Sequence, residues 1–164
     1  MRNACLWRAV LGVQNTVIEH IEYDEDAQMV VAHVRPRRSR GRCGTCGKRA
    51  SWYDQGQGRR RWRTLDLGII MVFLEADTPR VDCPIHGPTV RQVPWARHGA
   101  GHTHGFDQQV AWLAIHCSKR AITELMQIAW RTVGSIIARV WADTAAGIDP
   151  FAGLRHTSPM FTSP

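Results

Sequence analysis

Residues 42–48 read Arg-Cys-Gly-Thr-Cys-Gly-Lys, and residues 83–86 read Cys-Pro-Ile-His. Each stretch carries two metal-ligand side chains separated by two residues, in a turn that contains Gly or Pro. This spacing lets both side chains of a pair converge on one ion, and two such turns complete the tetrahedral shell that Zn²⁺ prefers in a structural site. The pattern therefore predicts one structural zinc site with four ligands, Cys43, Cys46, Cys83 and His86.

Other interpretations of these pairs are weaker. A lone Cys-x-x-Cys motif is also typical of a redox pair, and two unrelated turns with a surface histidine would give the same letters. The second pair at the same spacing favours zinc. Because the residues between the pairs are strand-like, we expect a zinc ribbon, in which β-hairpins bring the two turns together. Cys5 and Cys117 have no partner in the pattern, and Cys117 is expected in a helical core.

Strand patterns dominate the chain before residue 97. Thr16–Tyr23 and 28–34 are rich in β-branched residues and flank a polar turn, which predicts a hairpin. A short strand is predicted at 50–54, a second hairpin at 59–65 and 69–77, and a last strand at 89–95; residues 80–83 lead into the turn of the second metal-ligand pair.

Helical spacing begins after Gly105. Apolar residues recur every three or four positions along three segments, and Ser118 is placed to cap the second. Three short helices in this order predict a helix-turn-helix domain, and a plain three-helix bundle with a solvated face is the alternative. Four polar residues of the last helix lie opposite its apolar stripe and are predicted DNA contacts: Arg131, Thr132, Ser135 and Arg139.

These patterns predict an α+β protein, with a β-rich zinc-ribbon-like N-terminal domain followed by a three-helix helix-turn-helix domain. The expected divisions are an N-terminal β-hairpin (1–34), a basic zinc-ribbon-like domain (35–96), a linker (97–105), the helix-turn-helix domain (106–147) and a disordered tail (148–164). His98, His102 and His104 are interpreted as linker residues, with metal binding as the lesser alternative.

Positive charge is concentrated in one region of the chain. The 164 residues carry a net charge of +7, yet the window from Arg35 to Arg63 alone holds eleven basic residues and one acid. Such a density favours an anionic partner, and nucleic acid fits better than a membrane surface because no amphipathic helix carries these arginines. A solvated basic face is the alternative. The predicted phosphate contacts are Arg59, Arg60, Arg61 and Arg63.

Two functional classes find no support in the sequence. No apolar run approaches the length of a membrane helix and no signal peptide is evident, so a cytoplasmic protein is expected. No carboxylate cluster, phosphate-binding loop or nucleophile motif is visible, so we expect no catalysis by this chain alone.

Three further segments carry a family resemblance. They are Val93-Pro94-Trp95-Ala96-Arg97-His98, Trp112-Leu113-Ala114 and the run 130–140, Trp-Arg-Thr-Val-Gly-Ser-Ile-Ile-Ala-Arg-Val. With the zinc motif, they resemble the N-terminal half of bacterial insertion-sequence transposases of the ISL-three (ISL3) family. The resemblance implies a zinc-binding domain holding Zn²⁺, a DNA-reading helix over 131–139, and double-stranded DNA at transposon ends as the partner.

Two departures from the family shape the functional expectation. The turn Gln127-Ile128-Ala129 lacks the Gly and Ser of many members, and residues 156–164 lack the first Asp of the family's Asp/Asp/Glu catalytic domain. We therefore expect a truncated, nucleoid-associated DNA-binding fragment without its catalytic domain, with a second copy or a full-length transposase as candidate partner. The alternative is a zinc-dependent protein-interaction module or a transposition inhibitor that needs no specific DNA.

Overall fold

The protein is described here by a computed structural model that covers residues 2–37 and 41–145. The predicted tail, and Gly147 as the predicted end of the last helix, lie outside the described residues. Along the chain the elements are α1 (Arg2–Val10), β1 (Thr16–Asp24), β2 (Met29–Pro36), β3 (Ser51–Asp54), β4 (Arg59–Arg63), β5 (Met71–Asp77), β6 (Arg80–Cys83), β7 (Gly87–Val90), α2 (His104–His116), α3 (Lys119–Met126) and α4 (Trp130–Ala145). The predicted α+β class, with strands first and a helical domain after them, is confirmed.

A four-stranded sheet in the order β1-β2-β5-β4 forms the first layer. β1 and β2 are the predicted antiparallel hairpin, and β4 pairs antiparallel with β5. β2 and β5 run parallel, with Val30 opposite Val72 and Ala32 opposite Leu74. Since alternate residues of a strand face the same side, these apolar residues form one buried face. Trp62 and Trp95 complete its core in an edge-to-face contact with centroids 5.6 Å apart.

The pairing of β2 with β5 corrects the division expected after residue 34. That boundary cuts through one continuous sheet, because the N-terminal hairpin supplies two of its four strands. The hairpin is also preceded by α1, which the sequence analysis did not predict. Leu11 and Val13, just after this helix, are buried in the core of the sheet, and Trp7 packs against it.

A second sheet, in the order β3-β6-β7, carries the zinc motif. The last predicted strand is shorter than expected, because β7 ends at Val90 and the chain then turns toward the first sheet. Trp95 is consequently only 3% exposed, in the core of that sheet and not in a strand of the second.

The helical domain has its own core, built from Phe106, Val110, Leu113, Ile122, Met126, Val133 and Ile136. Ser118 caps α3 as predicted, accepting a hydrogen bond from the Ala121 amide. Thr103 caps α2 in the same way, so this helix begins at His104. Cys117 is exposed, contrary to the expectation of a core position, because it lies at the end of α2 in extended backbone. Within the described ranges, no helix is long and apolar enough to cross a membrane.

The segment expected as a linker packs against the first sheet. The Arg63 amide donates to the Gly101 carbonyl at 3.0 Å, and the Thr103 amide donates to the Arg63 carbonyl at 2.9 Å. Ala100 is fully buried. The backbone of residues 101–103 thus extends the edge of β4, and the helical domain is attached directly to the sheet.

Candidate metal centre and DNA-binding surface

The zinc motif forms two tight turns, which we call the first knuckle (residues 42–48) and the second knuckle (residues 83–87). In the first, the Gly47 amide donates to the Cys43 carbonyl at 2.9 Å, and the Cys43 amide donates to the Lys48 carbonyl at 2.9 Å. The second joins β6 to β7, with Gly87 at φ +65°. A hydrogen bond of 3.1 Å from the Gly44 amide to the Val90 carbonyl holds the first knuckle against the end of β7, the strand that follows the second knuckle.

The four predicted ligands meet at this point. One ligand atom from each of Cys43, Cys46, Cys83 and His86 lies within 4.8 Å of every other. The Cys46 and Cys83 sulfurs are 3.7 Å apart, and His86 Nδ1 is 3.7 Å from the Cys43 sulfur and 3.6 Å from that of Cys83.

These separations fit a zinc ion. Bond lengths of about 2.3 Å to sulfur and about 2.0 Å to nitrogen place tetrahedral ligand atoms roughly 3.5–3.8 Å apart. The sulfurs are too far apart for a disulfide, which requires about 2.05 Å, and all five cysteines are free. The prediction of structural Zn²⁺ as the cofactor is confirmed as a Cys₃His zinc-ribbon site.

The backbone of the second knuckle favours the ligating form of its cysteine. Hydrogen bonds from the Ile85 and His86 amides lower the pKa of Cys83 to about 6. Burial raises the pKa of Cys43, but amide donors from Cys46 and Thr45 outweigh it and the net pKa is lowered. Thiolate is the form that binds zinc, so these amides favour the ligating form of Cys83 and Cys43, whereas the neighbouring thiols Cys43 and Cys83 raise the pKa of Cys46.

Gly44 packs so closely that a side chain has no room. A Cβ on this residue would lie 2.2 Å from His98 Nδ1 and 2.5 Å from the Val90 carbonyl oxygen. His98, expected as a linker residue, therefore packs on the first knuckle. The glycine is required by this close approach and not by an unusual backbone angle.

The arginine run of β4 does not form a single surface, because neighbouring residues of a strand point to opposite faces. Arg59 and Arg61 lie on one face, about half exposed, and both pair with the carboxylate of Glu75. Arg60 lies on the other face, where it donates to the Gly99 and Ala100 carbonyls at 3.2 and 2.7 Å.

Arg63, the last of the predicted phosphate contacts in β4, lies where the sheet meets the helical domain. Its side chain is 9% exposed and pairs with Asp66 at 2.9 Å. It also donates to the Gln127 carbonyl at 3.2 Å, and its guanidinium lies 5.4 Å from the centroid of the Phe106 ring. All three contacts of this guanidinium are made within the protein.

The last helix also divides the residues predicted to share a face. Arg131 and Ser135, which lie one turn apart along α4, are exposed. Thr132 is half-buried. Arg139 instead turns toward α2 and pairs with Asp107 at 3.5 Å. The sequence analysis missed this because Asp107 lies 32 residues away along the chain.

Two exposed cations at the end of the first knuckle, Lys48 and the following Arg49, were not among the predicted contacts. Lys48 and Arg49 lie in solvent, and in the part of the chain that the structure describes their side chains make no ion pair or hydrogen bond. Both lie in the basic window from Arg35 to Arg63, but the predicted phosphate contacts were taken from the denser run of arginines in β4.

Comparison with known proteins identifies both halves of this arrangement. Residues 39–86 match the zinc-finger of transposase IS204/IS1001/IS1096/IS1165, and residues 91–141 match the helix-turn-helix domain of transposase family ISL3. Over 162 residues the chain is 63% identical to the transposase for insertion sequence element IS1557 from Mycobacterium tuberculosis, in strain ATCC 25618 / H37Rv and equally in strain CDC 1551 / Oshkosh.

That alignment covers 95% of this chain and 36% of each relative, so the chain spans about a third of the length of the curated relatives it matches. No solved structure matches the chain. The chain thus carries the zinc-ribbon and helix-turn-helix domains of the ISL3 transposase family.

Proposed function

We propose that this chain binds double-stranded DNA at the ends of an insertion sequence, with α4 in the major groove and the zinc-ribbon half on the phosphates. The observation that carries the proposal is the exposed pair Arg131 and Ser135 on the second helix of a helix-turn-helix. The matched relatives are named transposases for an insertion sequence element, and the choice of transposon ends as target comes from them.

The geometry of α4 supports its role as the reading helix. Val133 and Ile136 are fully buried against the other helices, so the opposite side of α4 faces outward. Arg131 lies in the first turn, the part of a recognition helix that meets base edges. Lys119 lies 4.5 Å from the centroid of the Trp130 ring and packs against the start of the helix. Arg131 makes no ion pair or hydrogen bond within the described ranges, so its donors are free for a guanine edge.

The phosphate contacts divide into two groups. Lys48 and Arg49 have no ion-pair partner among the described residues, and we place them first. Arg59 and Arg61 share the carboxylate of Glu75, and Arg59 also lies 3.8 Å from that of Asp77, so we place these two half-exposed arginines second. Arg60, Arg63 and Arg139 serve the fold in this proposal, since their guanidinium groups bond within the protein.

A selection experiment tests the proposal. Duplexes bound by the zinc-loaded chain are enriched from a random pool, and the enriched sequence is compared with the terminal repeats of IS1557. We expect the enriched sequence to match those repeats. In the Arg131→Ala/Ser135→Ala variant, loss of one guanine contact is expected to lower the affinity for the enriched duplex roughly 10- to 100-fold. Arg120→Ala is the matched control, because this arginine is also exposed in the helical domain but pairs with Glu124.

Salt dependence separates the two ways of binding. An interface that neutralises several phosphates loses affinity steeply as salt rises, and each lost phosphate contact reduces the slope by about 0.9. The Lys48→Ala/Arg49→Ala variant is therefore expected to have a shallower slope. Enrichment of no sequence, or a double Arg131→Ala/Ser135→Ala variant that binds as well as Arg120→Ala, contradicts the proposal.

A second candidate function is protein interaction, which exposed apolar residues of the helical domain favour. Trp112, Ile115 and Trp141 are 59%, 80% and 70% exposed. Such residues suit contact with a second copy or with a full-length transposase, through which the chain would act as an inhibitor. Light scattering at several concentrations, with and without duplex, distinguishes this function: it predicts assembly without DNA and little dependence of DNA binding on salt.

Without the catalytic domain of the family, the chain is expected to be inactive as an enzyme and to lie on DNA in the cell. We expect the chain to cleave no strand of an end-containing plasmid when Mg²⁺ is supplied, and a fluorescent fusion to colocalise with the nucleoid in the bacterial cytoplasm. Cleavage by the pure chain would instead favour an enzymatic role.

A further inference from the structure

We propose that Arg63 is a positioning residue, which sets the angle at which the reading helix α4 is held relative to the zinc-ribbon half. The inference rests on the proposed function, because it assigns a role within the same DNA-binding unit. It also reverses the role that the sequence indicates for this residue, which is a phosphate contact in an arginine run.

Arg63 reaches from the end of β4 into the helix-turn-helix. Its Nη1 donates to the Gln127 carbonyl at 3.2 Å, its Nη2 donates to Asp66 at 2.9 Å, and its guanidinium lies over the Phe106 ring at 5.4 Å. One planar group thus contacts the β4–β5 connection, the first turn of α2 and the turn between α3 and α4. A lysine ammonium lacks the fork that spans such partners.

Gln127 is the residue at which the chain changes direction between α3 and α4. It adopts the left-handed conformation at φ +49°, ψ +46°, where glycine is the usual residue. Because the turn has no glycine, its geometry depends on outside support, and the Arg63 hydrogen bond reaches the carbonyl of this same residue. The backbone angles of a single turn residue determine where the following helix points, so a contact there acts directly on α4.

The main chain of Arg63 is fixed independently of its side chain. Its amide and carbonyl bond to Gly101 and Thr103, and the Thr103 hydroxyl donates to Thr64 Oγ1 at 3.2 Å. These bonds attach the start of α2 to the sheet, and they remain when the side chain is replaced. The main chain of Arg63 therefore attaches the helical domain to the sheet, and its side chain separately orients the α3–α4 turn.

A distance measurement tests this role without DNA. Spin labels are placed at Gln57→Cys, beside β4, and at Ala138→Cys, on the exposed side of α4, in a zinc-loaded Cys5→Ser/Cys117→Ser background. We expect one narrow distance distribution in the parent, a broadened or displaced one in Arg63→Met, and the parent distribution in Arg61→Met, the matched arginine on the same face of β4. An Arg63→Met distribution equal to that of the parent overturns the proposal.

Zinc content and cooperative melting show whether each variant folds. If Arg63→Met does not fold, Asp66→Asn replaces it, since this change leaves Arg63 in place and removes the carboxylate that orients its guanidinium. We expect Asp66→Asn to alter the distance distribution in the same sense, and an unchanged distribution overturns the proposal.

DNA binding then distinguishes positioning from phosphate contact. For the duplex enriched by selection, we expect Arg63→Met to lower affinity five- to tenfold with an unchanged dependence of log K on log salt. Arg61→Met is expected to reduce that slope by about 0.9. A slope reduced by the same amount in Arg63→Met, or an unchanged affinity, overturns the proposal. If the parent enriches no duplex, the proposed function fails, and the distance measurement still decides the role of Arg63.

Discussion

The carboxylate of Asp107 lies 3.0 Å from the guanidinium of Arg97 and is completely shielded from solvent. Its other oxygen is 3.5 Å from Arg139, and Arg97 also bonds to Asp143 at 2.5 Å. A segment that looks like a linker, the first turn of α2 and the second half of α4 are thereby connected through one buried charge. The negative group also lies at the N-terminal end of a helix, where the helix dipole favours it.

Replacement of this carboxylate is expected to be costly. Asp107→Asn removes the buried charge that faces both Arg97 and Arg139, because an amide has similar shape but no charge; Arg97 keeps its pair with Asp143 and Arg139 loses its carboxylate partner. Removal of one partner from a buried ion pair costs about 3 kcal/mol, and we expect the free energy of unfolding to fall by about that amount. Urea denaturation of the zinc-loaded protein measures it.

The control is Glu124→Gln on α3. Glu124 pairs with Arg120 at 2.7 Å, but both side chains are well exposed. Exposed pairs contribute little, so the free energy of unfolding is expected to change by less than about 0.5 kcal/mol. If Asp107→Asn and Glu124→Gln lower the free energy of unfolding equally, burial of Asp107 adds nothing to the strength of its ion pairs.

Zinc is expected to be required for the folding of the first half. Elemental analysis should find about one zinc per chain, and Cys83→Ser should abolish both the metal and the cooperative unfolding of the ribbon, since zinc binding supplies folding free energy. Cys117→Ser is the control, because Cys117 is exposed and lies outside the site. A zinc-free Cys83→Ser protein that melts like the parent contradicts a structural role for the metal.

Gly44→Ala is expected to disturb the site although it changes no ligand. The new methyl group would overlap His98 Nδ1 and the Val90 carbonyl, so the first knuckle must move away from both His98 and the end of β7. Overpacking of this kind costs about 1–3 kcal/mol. Zinc affinity, measured by competition with a chelator, and the melting temperature should both fall. Gly101→Ala, where a Cβ meets nothing within 4 Å, should leave the zinc affinity unchanged.

Acid is expected to destabilise the junction between the sheet and the helical domain. Burial lowers the pKa of His102, with Arg139 and Arg63 acting in the same direction against Asp107, and burial lowers the pKa of His104. The folded protein therefore binds fewer protons than the unfolded chain, whose histidines titrate near about 6.5. Stability is full above that pH and falls as the pH drops below it toward the lower folded pKa values.

The His102→Gln/His104→Gln variant checks this dependence. Its free energy of unfolding should fall less than that of the parent between pH 7.5 and pH 5.5. Protonation of the zinc ligands weakens both proteins equally, so the difference between the curves isolates the two histidines. Parallel curves would contradict the assignment.

Much of the local structure could be predicted from the sequence. The spacing of Cys43 with Cys46 and of Cys83 with His86 identified the ligands, because a knuckle is formed within a few residues of chain. The β1–β2 hairpin and the capping of α3 by Ser118 were predicted for the same reason. Periodicity located the three helices of the second half, and α2 begins at His104, two residues before the expected start of the domain at 106.

The parts that sequence analysis missed depend on residues distant along the chain. The parallel pairing of β2 with β5 has no local signal, so the N-terminal hairpin was predicted as a separate unit. The glycine and histidine content of residues 97–105 indicated a linker, yet the backbone there bonds to the edge of β4.

The sequence by itself determined the zinc ligands, the order of strands and helices and the concentration of positive charge, since each is set by short-range spacing or by composition. Only the tertiary structure decided which arginines remain free. In the sequence Arg63 and Arg139 cannot be distinguished from Arg131. In the structure Arg63 donates to the Gln127 carbonyl and Arg139 pairs with Asp107. Arg131 has no partner among the described residues. The availability of a charge depends on the groups that folding places beside it, and these lie tens of residues away.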